Sequence, residues 1–521
     1  MEPISFTLAV VGACIECGKF LIAKYEDYKS AEYDVGENVL QMKSVWLKTE
    51  IQLETIQKIW KSIDPRLQKL FSELLDHLNG KLEVARRNID KVIEQDEDSG
   101  EFEVKKFKAM TCKKAIVEAM ADLDKWQGQF DPSWYLITRV PDSRIDGHLK
   151  DGAETGKIKQ IREAMSATPN EKNGSIFIDR QLIEGEHQRV SFSTSFTTRL
   201  TDGGGDVLID PMNSGGLSDP KLDIVHVRDL ARRLSNSDPW QFGLLHCRGV
   251  VKNTDARGTQ FQLVFDIPPS LSSPRTLRDL LVHNAPQSLD QRFQLAKQLV
   301  RSLMFVHTSG FVHKGIRPDT VIVFKDKNSV IGPSFLIGFE RFRPNNARSR
   351  LIGDTSWEMN IYRHPQRQGL YPEETYVMQH DIYSLGVCLL EIGFWDSFVY
   401  QESSKESRPG PQFDPSTGNL MPRKPPMPSK PGQVLKSIAT DIVAGKYPVS
   451  IQQELVSIAR DKLPGLMGRR YTDLTLACLT CLDPIETNLF GNEKGLADKD
   501  GIVVGVRYIE KILLQIDEIS I

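Results

Sequence analysis

Apolar positions recur at helical spacing through the first 150 residues and at strand spacing from about residue 175, so pattern divides the chain before any motif does. Met42, Trp46, Leu53, Ile56 and Trp60 fall near one helix face, and Leu67, Leu70, Phe71, Leu74, Leu75 and Leu78 form the stripe of the next. Asp64-Pro65 divides them, because Asp caps a helix start and Pro fits its first position, where a missing N–H costs nothing. A third stretch, with Ile116, Met120 and Leu123, follows the acidic turn from Glu94 to Gly100. Ahead of them, Pro3 to Ile15 carries no charge and leads into Phe20-Leu-Ile-Ala23. This run falls short of the roughly 20 apolar residues of a spanning helix and lacks the flanks of a signal peptide. Within it Ser5, Ala9, Ala13 and Cys17 recur every four residues, a small-residue stripe that admits close helix approach in a bundle or a membrane. Residues 1–150 are therefore expected to form an antiparallel helical bundle.

Turn residues crowd 151–186, which reads as a linker holding one brace helix, Lys157 to Ala167. Beyond it Ser175 to Ile178, Arg189 to Leu200, Val207 to Asp210, Leu244 to Lys252 and Phe261 to Ile267 read as strands. Gly203-Gly-Gly205 reads as a hairpin turn, since no helix follows it to seat a phosphate. Lys221 to Leu234 is a helix, Pro268-Pro269 a crossing, and Ser288-Leu-Asp-Gln291 a capping box opening a helix with Leu289, Phe293, Ala296, Leu299, Val300 and Leu303 on its buried face. Residues 401–433, rich in Pro, Ser and Lys, read as an insertion, and Leu474 to Leu482 and Val506 to Ile516 as closing helices.

The run Phe311-Val-His-Lys-Gly-Ile-Arg-Pro-Asp-Thr320 resembles the catalytic loop of protein kinases, H-R-D-L-K-x-x-N. Asp381-Ile-Tyr-Ser-Leu-Gly386 resembles the D-x-W-S-x-G of the following buried helix, Ile337-Gly-Phe-Glu340 stands where D-F-G is expected, and His364-Pro365-Gln366 where A-P-E is. The resemblance implies a bilobal α+β kinase-like fold over 187–521, with a small lobe to about 267. It also implies lost chemistry. Gly315 stands for the base, Arg317 for the phosphate lysine of the loop, Thr320 and Gly338 for the two metal ligands. If Val207 to Asp210 is the strand that carries V-A-I-K, Asp210 replaces the phosphate-pairing lysine and repels phosphates, and the partner helix offers Asp223 and Asp229 but no Glu. His313, Phe339, Asp381 and Gly386, which build scaffold rather than touch nucleotide, are kept. That pattern implies a pseudokinase with no cofactor, residual ATP binding not being expected.

The opening Met1 to Cys17 and the segment Lys48 to Trp60 resemble fungal HeLo domains, the membrane-targeting bundles of HET-S prion-inhibition proteins. In that family the first helix leaves the bundle for a membrane, and residues 4–24 match it by position. The fold class implied is multidomain, an all-α bundle followed by a kinase-like domain, a plan similar to mixed-lineage kinase domain-like proteins. Composition narrows the rest. With 66 basic and 69 acidic residues, a net charge of -3 gives no global electrostatic reason for nucleic acid. Seven cysteines without a secretory pattern point to reduced thiols and a cytoplasmic chain, and Cys14-Ile-Glu-Cys17 has no second pair to complete a metal or redox site.

The expected function is a fungal signalling protein of programmed cell death or heterokaryon incompatibility, in which the dead kinase-like domain controls the bundle. It meets an upstream protein partner or kinase, oligomerises with itself when active, and moves to membrane lipid. Thr355 and Ser356 are candidate phosphate acceptors, with Arg341, Arg343, Arg348 and Arg350 as candidate partners for the added charge. Two alternatives remain open: an atypical active kinase using Asp319 or Glu340 for metal, and a non-enzymatic oligomerising adaptor.

Overall fold

A computed structural model describes residues 3–29, 36–94, parts of 118–162, 176–212, 220–255, 258–283, 287–326, 331–339, 343–344, 356–401, 429–446, 448–484, 486–491, 502–517 and 519. The chain forms two compact units, residues 1–162 and 163–521.

The first unit is helical: α1 (Pro3–Lys29), α2 (Gly36–Ile59), α3 (Pro65–Glu94), and helical residues between 118 and 135. Asp64 opens α3 as its cap, its carboxylate accepting from the Arg66 amide at 2.9 Å. The stripe from Leu67 to Leu78 is buried, as are Trp46, Leu53, Ile56, Trp60 and Leu123. Ile116 and Met120 lie outside the described residues, and so does the Met42 side chain. α1 presses Val10, Val11, Cys14, Cys17 and Leu21 inward, leaving Ala9 and Ala13 exposed; the Ser5 side chain lies outside the description. Gly18 receives the indole of Trp46, whose Cη2 lies 1.8 Å from where a Cβ would stand. Cys14 and Cys17 thiols point to the carbonyls of Leu75 and Leu82 at 3.8 and 3.3 Å, and burial pushes the Cys14 thiol up to about 12. A buried polar knot ties α2 to the fourth helical stretch: Asp131 accepts from Lys48 at 2.5 Å, Gln52 at 3.0 Å and Gln127 at 2.7 Å. Residues 155–162 complete this unit, with Ile158 fully buried and Arg162 donating to the carbonyls of Ile137, Val140 and Asp142.

The second unit begins with a five-stranded antiparallel sheet in the order β1-β2-β3-β5-β4, from β1 (Gln188–Arg189), β2 (Phe196–Arg199), β3 (Asp206–Met212), β4 (Cys247–Asp255) and β5 (Gly258–Asp266). The run Arg189 to Leu200 is thus two strands, because Phe192 takes φ +61° and the Val190 amide closes onto the Ser195 carbonyl at 3.1 Å. Residues 203–205 turn between β2 and β3, with Leu200 N donating to Gly205 O at 3.0 Å. Between β3 and β4 runs α4 (Pro220–Leu234). Phe177 bridges Val250 beyond β4, and Gly249 permits it, since a Cβ would fall 2.6 Å from the Ile176 carbonyl.

The remainder is mainly helical around α5 (Leu277–His283), α6 (Leu289–Thr308), α7 (Met378–Phe394) and α8 (Pro448–Leu479), with a small sheet of β6 (Ser272–Thr276), β8 (Val321–Lys325) and β9 (Ser334–Leu336), and the short β7 (Phe311–Val312). The Ser288–Gln291 capping box opens α6, and its apolar face is buried except Leu289, which is 43% exposed because it sits in the first turn, ahead of the packed stripe. α8 bends at Gly468 (φ +79°) and ends at Leu479, three residues short of the span read from sequence. Gly386 lets α7 meet α8, a Cβ there falling 2.8 Å from that of Cys478. Around the Pro-rich insertion, Val399–Gln401 pairs antiparallel with Ser429–Pro431, so its ends leave and return side by side. Residues 502–517 are helical, with the Tyr508 hydroxyl bonded to the Val300 carbonyl at 2.9 Å.

Candidate functional site

Three pieces of the second unit converge: the middle of β3, the loop 313–320 after β7, and residues 337–339 after β9. His313 is fully buried, its Nε2 2.9 Å from the Ile337 carbonyl while the Gly315 amide donates to Nδ1 at 3.2 Å, which places the ring proton on Nε2. Phe339 packs on the His313 ring at 4.8 Å. From the first turn of α7, Asp381 accepts the backbone amides of His313 at 2.7 Å and Lys314 at 2.9 Å, the Tyr376 hydroxyl at 2.6 Å, and faces His307 Nε2 at 3.2 Å. Burial raises this carboxyl, but the hydrogen bonds and charges from His307 and its neighbours outweigh it and hold Asp381 below the usual range. The loop can therefore keep Lys314 at φ +65°, a strained value for a residue with a side chain.

On this frame the positions that the resemblance assigns to chemistry are closely packed. Gly338 has φ +86°, and a Cβ on it would lie 2.3 Å from Thr320 Cγ2. Thr320 in turn places its hydroxyl 2.9 Å from the carbonyls of Gly315 and Arg317 and accepts from the Arg317 amide at 3.2 Å. The threonine methyl thus occupies the room that a carboxylate at 338 needs. Gly315 brings no side chain, and Arg317 turns to Asp319, Nε to Oδ2 at 3.2 Å.

Asp210 is 1% exposed. Its Oδ1 accepts from the Ser195 hydroxyl at 2.9 Å, and its Oδ2 accepts from the Gly338 amide at 2.9 Å and the Phe339 amide at 3.4 Å. One carboxylate therefore joins the β1–β2 turn, β3 and residues 338–339. α4 is held at the other side by Arg233, which donates to the Ser309 carbonyl and lies over the Phe311 ring at 4.4 Å. On α4 Asp229 is half-buried beside Arg228 at 4.0 Å, with burial raising its carboxyl; the Asp223 side chain lies outside the description.

Asp319 forms a two-point pair with Arg278, Nε to Oδ1 at 2.5 Å and Nη2 to Oδ2 at 3.3 Å. Arg278, fully buried on α5, also donates to Ser397 Oγ at 2.8 Å and Tyr362 OH at 2.8 Å, and lies 3.6 Å from Glu391. Burial pushes Glu391 up to about 7, partly opposed by the Arg278 charge, the Phe398 amide and the Tyr362 hydroxyl. Sequence reading missed Arg278, Arg233 and Ser195. An arginine one step from Leu277 in an amphipathic helix reads as solvated, and only its acidic partners Asp319 and Glu391, more than 40 residues away, say otherwise.

The remaining positions fall elsewhere. Ser356 caps the turn Trp357–Asn360 and donates to Glu358 at 2.7 Å, so a phosphate there would meet a carboxylate. Thr355, Glu340, Arg341, Arg348 and Arg350 lie outside the described residues, and Arg343 is described in backbone only. His364 and His380 stack edge-on at 5.8 Å, and burial lowers them to about 4 and about 3. Among the described residues no group of His, Cys, Asp and Glu could hold a metal ion, and no helix is long and apolar enough to cross a membrane.

No family model matches the chain. A probable serine/threonine-protein kinase of Dictyostelium discoideum is 24% identical over 234 residues, 43% of this chain and 13% of that relative. The chain thus spans under a seventh of the length of the curated relative it matches, and over this stretch it is similar to a protein kinase.

Proposed function

We propose that residues 163–521 are a kinase-like module that transfers no phosphate and acts as a regulatory scaffold for the helical first unit. The observation that carries this reading is the Thr320–Gly338 packing: the two positions from which a kinase loop grips magnesium are filled by each other. Asp210 in place of a cationic side chain points the same way, because a buried carboxylate repels the phosphates that lysine would pair with. The reading of an active kinase built on Asp319 is disfavoured by the paired bonds of that carboxylate to Arg278. The test is phosphate transfer by the full chain from labelled ATP with magnesium or manganese. No transfer is expected; transfer abolished by Asp319→Asn would overturn the reading.

In the same proposal the first unit is a HeLo-like effector that engages lipid when α1 is released, as in a cell-death protein under pseudokinase control. The small exposed Ala9 and Ala13 and the uncharged run from Pro3 to Ile15 in α1 support it. Leakage of anionic-lipid liposomes by the full chain that disappears on deleting residues 2–24 is the expected result. Clean oligomers without leakage would favour the adaptor instead.

A further inference from the structure

We propose that the β1–β2 turn, residues 190–195, is a built-in plug over the degenerate site, and that Asp210 is its catch. The inference rests on the kinase-like reading above and adds how the site is kept shut. The turn is fastened at both ends. At one end the Thr276 hydroxyl, just before α5, donates to the Ser191 carbonyl at 2.9 Å. At the other the Ser195 hydroxyl donates to Asp210 at 2.9 Å.

Between these points the turn holds its own shape: Ser193 N donates to Val190 O at 3.2 Å, and Ser195 N to Ser193 Oγ at 3.1 Å. Ser193 and Ser195 are buried, and Phe192 keeps its left-handed backbone in the middle. A flexible phosphate-covering loop needs glycine and free amides. This one spends the amides of Val190, Ser193 and Ser195 and the hydroxyls of Ser193 and Ser195 on itself and on Asp210.

The catch is cooperative because one carboxylate serves both sides. Oδ1 holds the turn through Ser195, and Oδ2 holds the amides of Gly338 and Phe339. Removing Asp210 strands a buried hydroxyl and two buried amides together, so the turn and residues 338–339 should open as one unit. Removing Ser195 alone should free the turn and leave the Gly338 and Phe339 amides held. The ion pair of Arg248 with Asp266, 2.7 Å apart, lies at the end of the β4–β5 ladder away from its hairpin turn and should not respond to either change.

Hydrogen exchange of the full chain tests this, comparing the wild type with Asp210→Ala and Ser195→Ala. In Asp210→Ala, peptides covering 190–196 and 335–339 should exchange faster by roughly tenfold or more, the factor expected for losing charge-assisted hydrogen bonds, while β4 is unchanged. In Ser195→Ala only the 190–196 peptide should accelerate. Unchanged 190–196 exchange in a folded Asp210→Ala, or acceleration in Ser195→Ala that spreads equally to β4, would overturn the plug. Should Asp210→Ala fail to fold, the Ser195→Ala pattern alone decides. Phosphate transfer measured on the same wild-type sample separates the two ideas, since transfer would sink the inert reading whatever the exchange pattern.

Discussion

A Cβ on Gly338 would sit 2.3 Å from the Thr320 methyl on a backbone with φ +86°. Gly338→Asp should therefore not restore a metal ligand but cost about 2–4 kcal/mol, from left-handed strain plus overpacking, seen as a lower urea midpoint. Equal stability of the two proteins would mean the site has room that the packing denies. Titration argues at the same scale. His364 and His380 are lowered by burial to about 4 and about 3, so each is neutral when folded and takes a proton on unfolding below about 6.5. Their stabilisation is complete above that pH and is lost as pH falls. Glu391, raised to about 7, has the opposite sign: it holds a proton when folded that the unfolded chain releases, so its contribution falls as pH rises from about 4.5. Two histidines against one carboxyl leave one net proton among these three groups between pH 5 and 6, so together they contribute a rise in stability of about 1.4 kcal/mol per pH unit there. In Glu391→Gln the slope between pH 5 and 6 should steepen by about 1.4 kcal/mol per pH unit relative to the wild type; equal slopes in the two proteins would contradict the raised carboxyl.

Among elements, the contact of α1 with α2 turns on Gly18, which receives the Trp46 indole. Gly18→Leu should expel it, weakening the first unit by about 1–3 kcal/mol and speeding exchange across residues 3–29, with the sheet of the second unit unaffected. Unchanged exchange in α1 would show that Trp46 is not its anchor. The helical stripes of α2, α3 and α6 could be read in the sequence because packing there obeys a period that single residues announce, and the capping box of α6 was readable for the same local reason. The turn 190–195 was not, since Ser and Phe at alternating positions satisfy the strand period, and only the bonds to Thr276 and Asp210 pull the chain out of it. Likewise the sequence marks Asp210 only by the kinase resemblance, and does not announce its bonds to residues 195, 338 and 339, because those partners are set by the fold. Leu289 misled for the reverse reason: a correct helical period does not say which first-turn residue reaches the core.

In the function proposed for the whole molecule, a helical unit works under a kinase-like unit that transfers no phosphate. The likeness to a protein kinase is 24% identity over 43% of the chain, and in the second unit a sheet, loop and helix bring His313, Phe339 and Asp381 together. The most direct measurement is calorimetric titration of the full chain with ATP, with and without magnesium. No saturable heat is expected in either case, since in the proposed function Asp210 repels phosphate and Thr320 and Gly338 offer the metal no carboxylate. Saturable, magnesium-dependent binding would contradict it.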